Sequence, residues 1–387
     1  MKKIGVLGAG QLGGMLALAG YPLELDFHFY DTSGNPSVGL GEVTIDTQAD
    51  LKNPALAAFL KDVDVVTYEF EHLPLELTQY IESQTSLYPP SKSIEVCQNR
   101  AEEKALFTKL GIPTPKYHIA NSAAELKAAV EDLGCPVVAK TTTEGYDGKG
   151  QFVIRNLDQC EEAWNTIGNS PKGSMTLIAE AFVNFTRELS VIAVRAKDDD
   201  MVVYPLAENS HHEGILRYSI APAPYLNQEI SAQAITYIKE LMHELGHVGI
   251  LTLELFETEN GLVANEMAPR VHNSGHWSIE GCASSQFENH LRAISGLPLG
   301  NTEAYSPTCM INIIAEKGDI DSILALPYAH VHLYGKEERP GRKLGHITVK
   351  ADSLEELAWR VKNIASFLPG SPEFEGSKGK ERQDKII

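Results

Sequence analysis

The sequence predicts two fold classes in succession, an α/β unit at the N-terminus and α+β structure after it. Three observations carry this. An apolar strand, Lys3 to Leu7, runs into Gly8-Ala-Gly-Gln-Leu-Gly13 and a helical stretch, and strands and helices alternate from there to about residue 97. A second glycine-rich loop, Glu144-Gly-Tyr-Asp-Gly-Lys-Gly150, lies between two strands. Two short apolar runs, Gly249 to Phe256 and Leu262 to Met267, flank Asn260-Gly261 and read as a hairpin.

A chain of 387 residues has room for two or three domains. Its 43% hydrophobic and 22% charged residues are an ordinary globular composition. The net charge of −19 argues against a general binder of nucleic acid or membrane surfaces. A site for an anionic substrate must therefore concentrate positive charge locally. Cys97, Cys135, Cys160, Cys282 and Cys309 are widely spaced with no Cys-x-x-Cys. That is neither a zinc pattern nor a disulfide framework, and it suits a reducing cytoplasm. The N-terminus lacks a signal-peptide plan, and no apolar run approaches a membrane span.

In the first unit, a helix is expected from Met15 to Ala19 and a second strand from Leu25 to Tyr30, ending in Asp31. Gly8, Gly10 and Gly13 with Asp31 match the dinucleotide fingerprint. The glycines allow a close backbone approach to a phosphate, of NAD or of another ligand, or simply a tight turn. Val63 to Tyr68 reads as a strand, with Glu69-Phe-Glu-His72 at its carboxyl end, where ligands of open α/β sheets bind. Glu69 is thus a site candidate, or a cap for a helix from Leu73 to Ile81. Pro89-Pro90 punctuates the chain, and the first boundary is expected near Cys97.

Arg100 to Leu110 and Ala123 to Leu133 have amphipathic helical spacing. Pro136 to Lys140 is a strand, and Gln151 to Ile154 the return strand beyond the glycine loop. Such a flap can close over phosphates with its backbone N–H groups and Lys149. It is not a P-loop, because no helix follows. Ile178 to Val183 and Arg187 to Arg195 read as strands, whose exposed edges could hold a base. Glu208-Asn-Ser-His-His212 and Arg217 are a site wall or a solvated loop.

On the hairpin, a three-residue loop Glu259-Asn260-Gly261 would set Glu254 opposite Glu266, with Ile250, Thr252, Glu254 and Phe256 on one face and Leu262, Ala264 and Glu266 on one face of the return strand. Two carboxylates about 5 Å apart repel by roughly 3 kcal/mol at an effective dielectric near 20. Each could pair with a nearby Lys or Arg. A divalent cation between them would also reverse the sign, and oxygen ligands with Asn265 or Asn273 suit magnesium on phosphates. Further on, Cys309 to Ile314, His330 to Tyr334 and Gly345 to Val349 read as strands and Leu354 to Ala365 as a helix. Between them lies Lys336-Glu-Glu-Arg-Pro-Gly-Arg-Lys343, a basic loop in an acidic chain.

Lys140, Gly145 to Gln151, Glu180 to Val183, Glu188, Glu254 and Asn265-Glu266 resemble the ATP-grasp superfamily. Gly8 to Gly13, Thr67-Tyr-Glu-Phe-Glu71, Glu208 to His211, Asn265 to Gly275 and Arg339-Pro-Gly-Arg-Lys343 narrow the resemblance to the 5-(carboxyamino)imidazole ribonucleotide synthase family of purine biosynthesis, from Met1 to about Leu368. One departure is Glu144, where a small residue is expected. The resemblance implies a Rossmann-like domain over 1–97, an ATP-grasp domain over 98–300 with a flap at about 115–185, and a small β-rich domain over 301–387. It implies an ATP- and bicarbonate-dependent ligase acting on aminoimidazole ribonucleotide through carboxyphosphate, in the cytoplasm, as a homodimer.

By the same resemblance, ATP is held by Arg100, Lys140, Gly145, Tyr146, Asp147, Gly148, Lys149, Gly150, Gln151, Glu180, Ala181, Phe182, Val183, Glu188, His211, Asn265 and Glu266, and magnesium by Glu254 and Glu266. Bicarbonate and the ribonucleotide fall to Gly10, Gln11, Leu12, Glu69, Tyr146, Asp147, Arg155, Arg270, His272, Asn273, Lys336, Arg342 and Lys343. Arg270, His272, Asn273, Tyr146 and Lys336 are the catalytic candidates, with a capping role for His272 as the structural alternative. An NAD-dependent oxidoreductase, another ATP-grasp ligase such as a formate-using transformylase or a biotin carboxylase, and a non-catalytic nucleotide binder are the competing readings.

Overall fold

A computed structural model describes residues 2–143, 150–170, 173–174 and 176–370. The chain opens with β1 (Lys3–Leu7), α1 (Gln11–Gly20), β2 (Asp26–Asp31), β3 (Glu42–Ile45), α2 (Pro54–Asp62), β4 (Val65–Tyr68), α3 (Leu75–Gln84) and α4 (Ser91–Cys97). The strands form a parallel sheet in the order β3-β2-β1-β4. Ile4, Val6 and Leu7 are fully buried, as a strand covered on both faces requires. α1 begins at Gln11 rather than Met15, because a buried acceptor described below satisfies its first N–H groups.

Next come α5 (Arg100–Lys109), β5 (Tyr117–Ala120), α6 (Ala123–Leu133), β6 (Val137–Thr141), β7 (Gln151–Ile154) and β8 (Leu177–Ala181). Asn99 caps α5 by accepting the Ala101 N–H. The strands make an antiparallel sheet, β5-β8-β6-β7, on α6. The tip between β6 and β7, which includes Gly145 to Lys149, lies outside the described residues.

The remaining strands are β9 (Arg187–Arg195), β10 (Met201–Val203), β11 (Ala207–His212), β12 (Ile215–Ala221), then, after α7 (Gln228–Leu245), β13 (Gly249–Thr258) and β14 (Gly261–Ala268). After α8 (Gln286–Ser295) come β15 (Thr308–Ile314), β16 (Ala329–Leu333), β17 (Lys343–Lys350) and α9 (Leu354–Ala365). One sheet joins them in the order β14-β13-β9-β11-β12-β15-β17-β16, with β10 beside β9. The C-terminal strands therefore extend the central sheet through the β12–β15 pairing. Leu251, Leu253 and Leu255 of β13 pack with Ala234, Ile238 and Leu241 of α7. This leaves the opposite face of β13 to the cleft.

The hairpin differs from the expected one in an informative way. Thr258 pairs with Gly261, so the loop has two residues, Glu259 and Asn260, not three. Leu255 pairs with Ala264, yet Glu254 pairs with Glu266, because the register shifts at a β-bulge that leaves Asn265 unpaired. The bulge restores the facing glutamates that a longer loop would have given. It also corrects the shared face: Leu262 and Ala264 join the α7 core, while Glu266 turns into the cleft with Glu254 and Phe256.

Candidate active site

A cleft of about 980 Å³ runs between the three sheets, large enough for a nucleotide and a second small molecule. Arg100, Lys140, Gly150, Gln151, Glu180, Ala181, Phe182, Val183, Glu188 and His211 are among its lining residues. Lys140 Nζ lies 3.0 Å from Glu180 Oε2, and Glu180 Oε1 lies 3.7 Å from Lys104 Nζ. Burial would raise the Glu180 carboxyl, but the Lys140 and Lys104 charges override it and hold it ionised. Arg100 Nη1 donates to the Thr141 carbonyl at 2.9 Å, tying α5 to β6.

Glu188 on β9 and His211 on β11 meet at 3.0 Å. His211 thus stands on a strand that walls the site, not on a solvated loop. Burial alone would lower the His211 pKa; the charge and hydrogen bond of Glu188 carry it up to about 9. A folded-state pKa above the unfolded one stabilises fully below the unfolded value and is lost as pH rises through the folded value. Between pH 6.5 and about 9 the unliganded protein should lose roughly 3 kcal/mol from this pair. His211→Asn should flatten that part of the curve in chemical-denaturation measurements across pH.

Glu254 and Glu266 face each other in mid-cleft. Burial first and the Glu266 charge second push the Glu254 carboxyl up to about 7. His272 Nε2 lies 3.5 Å from Glu254 Oε1. His272 Nδ1 meets Ser274 Oγ at 2.9 Å and accepts the Ser274 N–H. It is therefore both a cap of the short turn Asn273–Gly275 and a neighbour of the acidic pair. Burial and then the Arg270 and Lys343 charges press its pKa down to about 3, so the ring is neutral.

Lys336, Arg339, Arg342 and Lys343 also line the cleft, as do Gln11 and Leu12; Lys336 Nζ bonds Gln11 Oε1, and the Lys343 charge reaches His211, Glu254 and His272. Burial, then Arg342, lowers the Lys336 pKa. Four basic residues here supply the local positive charge that an acidic chain needs for an anion.

The glycine loop beside them holds no free phosphate cradle. Glu69 Oε1 accepts the Gly10 N–H and Glu69 Oε2 the Gly13 N–H at 2.7 Å. The chain's own carboxylate thus sits where a dinucleotide phosphate would go. Asp31, the acidic residue of the fingerprint, accepts from Ser33 Oγ and the Gly34 N–H. The NAD reading is overturned on both counts, and Glu69 caps α1, not the helix from Leu75, whose N-cap is Pro74. A methyl on Gly10 would lie 2.7 Å from Glu69 Oε1. Gly10→Ala should cost about 1–3 kcal/mol, the order of a displaced buried hydrogen-bond partner, read as a lower Tm.

Comparisons with known proteins follow the same division of the chain. Residues 1–98 match a ribonucleotide synthetase preATP-grasp domain, 105–287 an ATP-grasp domain, and 308–360 a phosphoribosylaminoimidazole carboxylase C-terminal domain. The N5-carboxyaminoimidazole ribonucleotide synthase of Pseudomonas aeruginosa is 42% identical over 367 residues, 95% of this chain and 99% of that one. The chain belongs to the N5-carboxyaminoimidazole ribonucleotide synthase family. The crystal structure of the Thermus thermophilus synthetase superposes with a TM-score of 0.88 at 43% identity, covering 95% of this chain and 99% of that one. The Aspergillus clavatus synthase, in complex with ADP and 5-aminoimidazole ribonucleotide, superposes with a TM-score of 0.85 at 31% identity, covering 95% and 98%.

Within this synthase fold, several expected site residues take other positions. Arg155 is exposed just past β7 and is not among the described residues lining the cleft. Gly10 contributes its N–H to Glu69 rather than a wall of the cleft. Arg270 does not hold out a free fork: Nε and Nη2 grip Glu71 and Nη1 donates to the Val271 carbonyl at 3.1 Å. Three of its five N–H groups are so used, and two are left for an anion. Burial would raise the Glu71 carboxyl, but Arg270 holds it down to about 2. The Asn273 amide pairs with Asn312, at 3.1 and 2.6 Å, so its carbonyl oxygen already accepts a bond. Gly145, Tyr146, Asp147, Gly148 and Lys149 lie outside the described residues. Sequence reasoning missed Glu103 and Lys104, and gave no role to Glu71 and Arg339 although both lie in motifs that carry the resemblance. The buried face of α5 holds Glu103 and Lys104 beside Leu106 and Phe107, and helical spacing alone did not separate these two from the exposed charges of the same helix.

Proposed function

We propose that this chain carboxylates the amine of 5-aminoimidazole ribonucleotide, using ATP and bicarbonate, and forms ADP and phosphate. The observation that carries the reading is one cleft with the facing Glu254 and Glu266 between a nucleotide wall and a basic pocket. A bicarbonate oxygen attacks the γ-phosphorus and ADP leaves, giving carboxyphosphate. The amine then takes the carboxyl carbon as its C–O bond to phosphate breaks, and the amine proton passes to a base.

Phosphoryl transfer needs positioning and charge neutralisation more than covalent help. Lys140, Gln151 and the flap hold the phosphates, and Glu180 to Val183, Glu188 and His211 hold the nucleoside. The all-oxygen pair Glu254 and Glu266, with the Asn265 side chain beside it, fits magnesium. The ion, when bound there, would neutralise charge on the phosphates. The two remaining Arg270 N–H groups orient carbonate, and neutral His272 sits beside the acidic pair. Gln11, Lys336, Arg339, Arg342 and Lys343 take the ribonucleotide phosphate.

No helix among the described residues is long and apolar enough to cross a membrane. We place the reaction in the cytoplasm and the chain in a homodimer, which sedimentation would test. The function is tested by phosphate release from ATP. It should require both bicarbonate and the ribonucleotide, and formate should not replace bicarbonate. Release supported by formate would assign the chain to a transformylase reaction instead.

A further inference from the structure

We propose that Glu103 and Lys104 are positioning residues that hold the β14 bulge in the form that presents Asn265 and Glu266 to the metal and nucleotide. The inference rests on the magnesium reading above and goes beyond it to residues that touch neither reacting atom.

Both residues lie early in α5, and both side chains are buried, Lys104 at 1% exposure. β14 is the edge strand of its sheet and carries the bulge, so backbone groups around Asn265 lack ladder partners, and these two side chains take them up. Lys104 Nζ donates to the Asn265 carbonyl at 2.6 Å and lies 3.4 Å from that of Ala264. Glu103 Oε1 accepts the Met267 N–H at 2.7 Å. The bulged residue and Glu266 are thus gripped from both sides by adjacent residues of one helix. Lys104 also lies 3.7 Å from Glu180 on the nucleotide wall, so one ammonium ties the wall to the bulge. A buried ammonium is costly unless its surroundings use it, and holding the bulge gives this one a use. Without the bulge, Glu266 would face the α7 core.

The test is Mn2+ binding to the full-length protein with ADP, read by electron paramagnetic resonance, alongside Tm. Glu103→Ala removes the acceptor for Met267, whereas Glu103→Gln keeps an oxygen there. Lys104→Met keeps the volume and removes the charge. Partners that orient metal ligands are typically worth about 10- to 100-fold in affinity. Glu103→Ala and Lys104→Met should weaken Mn2+ by that order, and Glu103→Gln by less than about threefold, a difference that purely structural residues would not produce. If Lys104→Met fails to fold, the Glu103 pair decides. Wild-type Mn2+ affinity in Glu103→Ala, whatever its Tm, overturns the proposal alone. No saturable Mn2+ binding by the wild-type protein with ADP overturns the magnesium reading and this proposal with it.

Discussion

Glu266→Gln is expected to cut ATP-dependent phosphate release about a hundredfold or more, since metal-ion charge stabilisation is worth several kcal/mol and each 1.36 kcal/mol is tenfold. The same change should leave the unliganded protein as stable as before, or more so. Glu266 is exposed within the cleft, so glutamine meets no packing constraint. It also removes a like charge opposite Glu254, whose carboxyl that charge helps push up to about 7. Activity and apo Tm should therefore move independently, and the Tm gain from Mg-ADP should vanish. A variant that loses activity only because it unfolds would contradict this assignment.

Lys336→Ala should raise the ribonucleotide KM by roughly 10- to 100-fold, the worth of a hydrogen bond to a charged group, and leave the ATP KM within about threefold. Lys336 bonds Gln11 of the N-terminal sheet and feels the charges of Arg339, Arg342 and Lys343, whereas Lys140 is paired with Glu180. Steady-state kinetics with each substrate varied in turn gives both constants. Equal rises in both would refute the assignment of this loop to the ribonucleotide phosphate.

Much of this was legible in the sequence where local chemistry decides. The strands at Gln151–Ile154 and Arg187–Arg195 and the helix at Leu354–Ala365 fall where apolar spacing puts them. The Glu254–Glu266 pairing was also legible, although by two errors that cancel: a loop counted one residue too long and a bulge unseen. Bulges depend on what can satisfy the freed groups, and that partner, Lys104, is 161 residues away in sequence from Asn265. The glycine fingerprint misled for a related reason. Glycines admit any close oxygen acceptor, and no local pattern says that Glu69, 59 residues beyond Gly10, supplies it. The grip of Glu71 on Arg270 was hidden in the same way, because a fork suited to carbonate is equally suited to a carboxylate.

The most direct measurement is the fate of oxygen from 18O-labelled bicarbonate in a turnover with ATP and aminoimidazole ribonucleotide. Attack of bicarbonate on the γ-phosphorus puts one labelled oxygen into each phosphate released, detectable by mass spectrometry or by the 31P shift. Phosphate that instead takes its new oxygen from solvent water would mean that ATP is merely hydrolysed, and the account of a carbonate activated at the Glu254–Glu266 site would be contradicted.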